Sequence, residues 1–417
     1  MKFSEFGHRF AKASGIVELM DDLGSALNEN PEMIFMGGGN PGRILEVESV
    51  FRRRIQAIVD NPDKFHRLTG IYQSPQGEKG FLRDVASLLT KQLGKKVTER
   101  NIAVSNGSQP AFFVLYNMLA GSISDGSYRS VHLPLTPEYI GYSDIGLSPN
   151  MFTATRPEIE LLEGDLFKYR VDFSSLHVDQ TTAALCVSRP TNPTGNVLTD
   201  NEVEELDSIA QAADIPFIID GAYGLPFPGI LFNQAKPHWN SNTVLVLSLS
   251  KLGLPGVRTG IVVANEELIQ TFRNANTVLS LACGNLGPAL VSALIRSNEL
   301  IHLSTSIIKP FYQNRAKQTV EWFRKALCDV PFKIHKPEGA IFLWLWFENL
   351  PISSQELYLR LKDRGVLVVP GHNFFPGMDN SWKHQQECIR VSYAQDGDTV
   401  KAGVRLIAEE VIKAYRG

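Results

Sequence analysis

The sequence predicts an α/β protein. A large unit carries a mostly parallel seven-stranded sheet flanked by helices, and a smaller α+β unit comes from the two ends of the chain. Three observations predict it. Seven short runs rich in Val, Ile and Leu recur between residues 101 and 264. Several are apolar at consecutive positions, as in strands buried on both faces. Stretches with helical spacing separate some of these runs, and strand–helix–strand order gives a parallel sheet. After about residue 300 the texture changes to long helices alternating with isolated strands.

In chain order, the expected strands of the large sheet are Asn101–Ser105, Ser130–Leu135, Met151–Thr155, Ala183–Ser188, Ile215–Asp220, Val244–Ser248 and Gly260–Ala264. Pro110–Leu119 reads as a helix. So does Asp200–Ala213, which opens on Thr199-Asp200 and continues with acidic residues, as helix starts do. Ser304–Leu327 reads as one long amphipathic helix. Ala340–Phe347, Val366–Val369 and Cys388–Tyr393 read as strands, Ser353–Arg364 and Thr399–Tyr415 as helices. Residues 1–45 have weak patterning and several glycines and are expected to pack on the C-terminal unit. The expected division is 46–303 for the large unit and 1–45 with 304–417 for the small one.

The 417 residues carry 41 Lys+Arg against 44 Asp+Glu, a net charge of −3, and 43% are hydrophobic. This balance excludes a disordered chain and removes the electrostatic footprint of a nucleic-acid binder. Cys186, Cys283, Cys328 and Cys388 form no C-x-x-C pair, which argues against a zinc site or a disulfide scaffold. A reduced, cytoplasmic setting is expected. The N-terminus lacks the apolar core of a signal peptide. The most apolar run, Ala340–Phe347, is too short to span a bilayer. No metal and no membrane are expected.

The most informative segment is Ser248-Leu249-Ser250-Lys251-Leu252-Gly253-Leu254-Pro255-Gly256-Val257-Arg258-Thr259-Gly260. A lysine just past a buried strand loses part of its affinity for the proton and becomes a nucleophile toward carbonyls. An isolated lysine there is ordinarily a surface residue; the thirteen-residue pattern sets this one apart. The arginine seven residues on offers a rigid fork suited to phosphate. Asp220 ends another buried run, with Tyr223 three residues on. Ser188-Arg189-Pro190-Thr191-Asn192-Pro193-Thr194-Gly195-Asn196 is a loop directly after a strand. Ser105-Asn106-Gly107-Ser108-Gln109 joins a strand end to a helix start, where free backbone N–H groups cradle phosphate. These segments follow strand C-terminal ends, where open α/β sheets place their ligand crevice. A phosphate cradle, an amine, a carboxylate, a phenol and an amide together meet the needs of pyridoxal 5′-phosphate (PLP).

The combination resembles the fold-type I, class I aminotransferases over essentially the whole chain. Finer segments resemble the members that pair valine with pyruvate: Met36-Gly37-Gly38-Gly39-Asn40-Pro41, Pro137-Glu138-Tyr139-Ile140-Gly141-Tyr142 and, above all, Lys336-Pro337-Glu338-Gly339-Ala340-Ile341-Phe342-Leu343-Trp344-Leu345-Trp346 and Pro370-Gly371-His372-Asn373-Phe374-Phe375-Pro376-Gly377. The resemblance implies that Lys251 carries the cofactor and moves the proton at Cα. It implies that Asp220 pairs with the ring nitrogen and that Tyr223 and Asn192 bond the phenolic oxygen. Ser248 and Arg258, with Gly107, Ser108 and Gln109, would hold the phosphate, and Tyr139 would stack on the ring. Arg390 and Gly39 would take the substrate carboxylate, with Asn192. Tyr72 would reach the phosphate of a neighbouring subunit, which implies a homodimer with shared active sites. The implied reaction is transamination, valine and pyruvate giving 2-oxoisovalerate and alanine. Transamination of other neutral amino acids, or a PLP-dependent C–S lyase, is the alternative. The triple glycine before Asn40 departs from the single glycine of the more familiar family pattern. No clear counterpart is found of the arginine that binds a side-chain carboxylate in aspartate-type members.

Overall fold

Runs of consecutive Val, Ile and Leu present no polar face, so they are satisfied only in strands covered on both sides. In the computed structural model, which describes residues 2–11, 15–379 and 381–417, all seven expected runs fall in one sheet. The strand order is Ile102–Ser105, Gly260–Val263, Thr243–Ser248, Phe217–Asp220, Thr182–Ser188, Tyr128–Leu133 and Gly121–Ser122, and Phe152–Ala154 also pairs with Tyr128–Leu133. The two-residue strand Gly121–Ser122, antiparallel to Tyr128–Leu133, is the eighth member, beyond the seven expected. Gly260–Val263 runs antiparallel to both neighbours, whereas the pairs from Thr243–Ser248 across to Tyr128–Leu133 are parallel. Register sets Ser188 opposite Asp220, and Asp220 opposite Val246. The ends that carry Ser188, Asp220 and Ser248 therefore open onto the same rim.

The helix Ser108–Leu119 follows the first strand, and Asp200–Ala212 follows the loop after Ser188. The latter starts in a reciprocal cap: Thr199 Oγ1 accepts from the Glu202 N–H at 3.2 Å, and Glu202 Oε2 accepts from the Thr199 N–H at 2.7 Å. That satisfies donors the helix start would otherwise leave open.

A second sheet, ordered Val369–Pro370, Cys388–Ser392, Phe342–Phe347, Phe332–His335, Leu166–Arg170 and Glu158–Leu161, lies in the C-terminal part. Its last two strands come from inside the 46–303 span. They form an antiparallel hairpin whose Leu166 pairs in parallel with Ile334. A buried ion pair between Lys168 and Glu338 fastens the hairpin to the turn before Phe342–Phe347. Lys168 Nζ also donates to the Val197 carbonyl at 2.9 Å, and Glu338 accepts from the Val197 N–H at 3.0 Å.

Ile34–Phe35 pairs in parallel with Val366–Leu367, and Arg9 Nε donates to the Gly146 carbonyl at 2.8 Å, so the N-terminal segment touches both parts of the molecule. Two helices, Glu5–Phe10 and Gly15–Glu29, occupy the weakly patterned N-terminus. The long helix expected over 304–327 is longer and interrupted. It runs as Glu299–His302, a wider π-helical segment Leu303–Ile308, and Lys309–Ala326. The interruption lies just before Pro310, which has no N–H to give to the carbonyl one turn back. Among the described residues no helix is long and apolar enough to cross a membrane, and no group of three or more His, Cys, Asp or Glu is placed to hold a metal ion.

Candidate active site

The loops after the parallel strands converge around Lys251. It lies in a short 3₁₀ turn, Ser250–Leu252, directly after Thr243–Ser248. Its Nζ donates to the Gly39 carbonyl and stands 5.3 Å from the centroid of the Tyr223 ring. Burial and the charges of Arg390 and Arg258 pull the ammonium down to about 8, partly offset by Asp220. The amine expected from the sequence is therefore partly neutral near neutral pH.

Asp220 ends its strand fully inside the protein. Oδ1 accepts from the Ala222 N–H at 2.9 Å and Oδ2 from the Tyr142 hydroxyl at 2.8 Å. Burial pushes its carboxyl above the usual range, while those two donors and Lys251 pull it back. Tyr142 lies three residues past Tyr139, at the end of the Ile140–Tyr142 turn. The two rings meet edge to face at 5.5 Å. The sequence reading missed Tyr142; its place one turn beyond a named site residue was the available signal.

Arg390 comes from the Cys388–Ser392 strand of the second sheet. Nη1 donates to Asn192 Oδ1 at 2.8 Å, and Nη2 to the Gly37 carbonyl at 2.6 Å. The guanidinium lies 4.2 Å from the Phe342 ring centroid and 5.0 Å from that of Phe374. Burial pulls it down to about 10. Its Nε–H is buried with no acceptor, so the fork keeps an open donor. Gly37 and Gly39 divide the triple glycine between them: Gly37 presents its carbonyl to Arg390, Gly39 to Lys251.

At residues 105–109 the chain turns from the end of the Ile102–Ser105 strand into the Ser108–Leu119 helix. Gly107 caps the Ser108–Leu119 helix at φ 107°, a backbone region that favours glycine. A Cβ added there would meet Arg258 Nη2 at 2.4 Å, so Arg258 lies against the loop as expected. Arg258 itself has a left-handed backbone, φ 47°. The Ser108 and Gln109 N–H groups belong to the first helical turn, which has no internal acceptors. The Gln109 side chain donates to the Gly141 carbonyl at 3.1 Å, tying the cradle to the turn that carries Tyr139. Ser248 is buried, and its Oγ accepts from the Ser250 N–H at 3.2 Å. Tyr72 is not brought to this site; its side chain is 84% exposed.

These residues fit pyridoxal 5′-phosphate. The glycine cradle beside Arg258 suits a phosphate, the partly neutral amine suits a carbonyl carbon, and the buried carboxylate suits a protonated ring nitrogen. The open donor on Arg390 suits a substrate carboxylate.

Comparison with known proteins agrees with the geometry. The family model described as aminotransferase class I and II matches residues 46–407. The valine–pyruvate aminotransferase of Escherichia coli (strain K12) is 49% identical over 415 residues, covering 100% of this chain and 99% of that protein. The solved valine–pyruvate aminotransferase of Salmonella typhimurium LT2 is 48% identical, with a TM-score of 0.89 over 96% of this chain and 100% of the other. The kynurenine aminotransferase of Pyrococcus horikoshii, solved with PMP, is 18% identical and shares the fold, with a TM-score of 0.78 over 96% of this chain and 95% of the other. The chain is a member of the PLP-dependent class I and II aminotransferase family.

Proposed function

We propose that this aminotransferase moves the amino group of L-valine to pyruvate, giving 2-oxoisovalerate and L-alanine. The observation that carries the choice of substrates is the 49% identity, end to end, with the valine–pyruvate aminotransferase of Escherichia coli.

PLP, when bound, supplies a carbonyl that takes up the amino group and a ring that draws off the electron pair left at Cα. The chain's residues do the rest. Lys251 Nζ carries the cofactor and moves the proton at substrate Cα, a task suited to an amine pulled down to about 8. Asp220 holds the ring nitrogen protonated, with Tyr142 and the Ala222 N–H sharing its charge. Asn192 gives its Oδ1 to Arg390, which leaves its NH₂, with the Tyr223 hydroxyl, for the phenolic oxygen. Tyr139 would cover one face of the ring. Ser248, Arg258 and the Gly107, Ser108 and Gln109 backbone hold the phosphate. Arg390 grips the substrate α-carboxylate, with Gly39 and Asn192 beside it.

The working unit of this proposal is a homodimer in which Tyr72 reaches the partner's phosphate. Its 84% exposure supports this, as do the exposed apolar side chains of Ile71, Val278 (88%), Leu279 and Leu281. Residues 46–303 form the cofactor-binding unit, and 1–45 with 304–417 the second unit, joined by the 158–170 hairpin. A cytoplasmic setting is supported by four free cysteines, three of them buried.

The test is the visible absorbance of the purified protein loaded with PLP, followed as L-valine and then pyruvate are added. The expected result is loss of the band of the lysine-bound cofactor with valine and its return with pyruvate, neither seen in Lys251→Ala. A band that valine leaves unchanged overturns the substrate assignment. Pyruvate released from cystathionine without an amino acceptor replaces transamination with C–S lysis.

A further inference from the structure

Glu138 lies between the loops of the site yet has no part in the chemistry described above. It is 0% exposed. Its carboxylate is shared between two segments far apart in sequence. Oε1 accepts from the Ser188 N–H at 2.7 Å, and Oε2 accepts from the Ser188 hydroxyl and from the Tyr139 N–H, the latter at 3.2 Å. Its own N–H donates to the Phe374 carbonyl at 2.8 Å.

Each of these contacts leads into the site. Ser188 ends its strand, and its carbonyl accepts from Thr191 Oγ1 at 3.0 Å, one residue before Asn192. Asn192 Oδ1 and the Phe374 ring both meet the Arg390 guanidinium. Tyr139 bears the ring assigned to the cofactor face.

We propose that Glu138 is a positioning residue for the cofactor and substrate sites. One buried carboxylate fixes the Tyr139 backbone against the Ser188 strand end, so that the stacking ring and the Asn192–Arg390 grip keep one spacing. The proposal rests on the reading of this crevice as a PLP site. An apolar residue of similar size would fill the space at lower desolvation cost, but it would accept none of the three donors. Burial, helped by the nearby Asp220 charge, pushes the Glu138 carboxyl up, whereas the donors from Ser188 and Tyr139 pull it back toward the ionised form. Those donors are what make the carboxylate tolerable there.

Glu138→Gln isolates the contact to Tyr139. The glutamine carbonyl still accepts from the Ser188 N–H, and the Ser188 hydroxyl turns to accept from its NH₂. The Tyr139 N–H then faces a second donor and loses its acceptor. The expected result is about 10-fold weaker PLP binding to the cofactor-free protein, a change of about 1.4 kcal/mol. The visible circular dichroism of the bound cofactor should also weaken.

Ser188→Ala removes only the hydroxyl. It is expected to raise KM for the amino donor several-fold with little change in kcat, and to leave PLP affinity near wild type. Wild-type PLP affinity and circular dichroism in Glu138→Gln overturn the proposal. If that variant does not fold, an unchanged KM in Ser188→Ala overturns it. Failure of the parent protein to bind PLP is a different outcome, seen before any variant is made; it removes the PLP reading and this proposal with it.

Discussion

Arg390→Lys is the sharpest test of how the substrate is held. Arginine fills its slot with a fork: one arm on Asn192, one on Gly37, and an open Nε–H, with the guanidinium close to the Phe342 and Phe374 rings. Lysine keeps the charge but presents one ammonium on a stem that cannot bond a carboxylate through two parallel N–H groups. At least one charge-assisted bond to the substrate is lost, and either Asn192 Oδ1 or the Gly37 carbonyl is left without a donor. Together these cost about 3 to 6 kcal/mol, or roughly 10²- to 10⁴-fold in kcat/KM. The assay is steady-state kinetics with valine and pyruvate each varied, beside a PLP titration of the cofactor-free protein. Both substrates carry an α-carboxylate, so kcat/KM should fall for both. PLP affinity should fall far less than kcat/KM, because Arg390 reaches the residues assigned to the cofactor only through Asn192. A kcat/KM within about threefold of wild type would refute the assignment of Arg390 to the carboxylate.

Four further outcomes follow from the same geometry. With Lys251 at about 8 in the folded state against 10.5 when unperturbed, the cofactor-free protein at pH 7 holds about one lysine in ten as free amine, against about one in 3,000 for the unperturbed group. The rate of PLP capture should therefore rise with pH toward a plateau above about 8, and a rise centred near 10 contradicts the lowered value. Because the unfolded state binds more protons between these two values, the Lys251 contribution raises the stability of the cofactor-free protein from pH 8 to 10.5; Lys251→Met should flatten that part of a denaturation-versus-pH curve. Tyr142→Phe removes the donor on Asp220 Oδ2 and should lower kcat about 10-fold, the worth of one bond to a charged group; an unchanged kcat would reduce Tyr142 to packing. Gly107→Ala places a methyl against Arg258 in a backbone region that opposes side chains, a strain of about 1–3 kcal/mol. It should weaken PLP binding with little effect on KM for valine measured at saturating cofactor.

What the sequence made legible were the features written locally. The seven apolar runs of the large sheet each carry their own signal, because a strand buried on both faces needs no partner to be recognised. Lys251, Arg258 and the glycines around them lie in thirteen consecutive residues, and the cradle at Gly107 is a local turn. The features that escaped depend on pairing across long stretches of chain. Tyr142 gains its meaning only when the fold sets Asp220 beside it, and Glu138 only when Ser188 arrives. The outer strand of the hairpin, Glu158–Leu161, buries no residue, and nothing in Leu166–Arg170 announces that its partner is Phe332–His335. The first N-terminal helix is obscured for another reason: Glu5–Phe10 buries no residue, so the periodicity that marks a packed helix is missing.

That hairpin also bears on how the chain is made. As the protein leaves the ribosome, Leu166 emerges long before its neighbour Ile334. In the interval Leu166–Arg170 presents one edge with no strand to pair against, and that edge is open to a similar strand on another nascent chain. The Lys168–Glu338 contact is delayed in the same way, so Lys168 gains its carboxylate only once the chain has been made past Glu338. Removing residues 304–417 would therefore not release an independent remainder. It would leave the edge of Leu166–Arg170 bare and Lys168 without its carboxylate. Folding of this chain is expected to finish after synthesis rather than during it, with the slow step at the closure of Leu166–Arg170 against Phe332–His335.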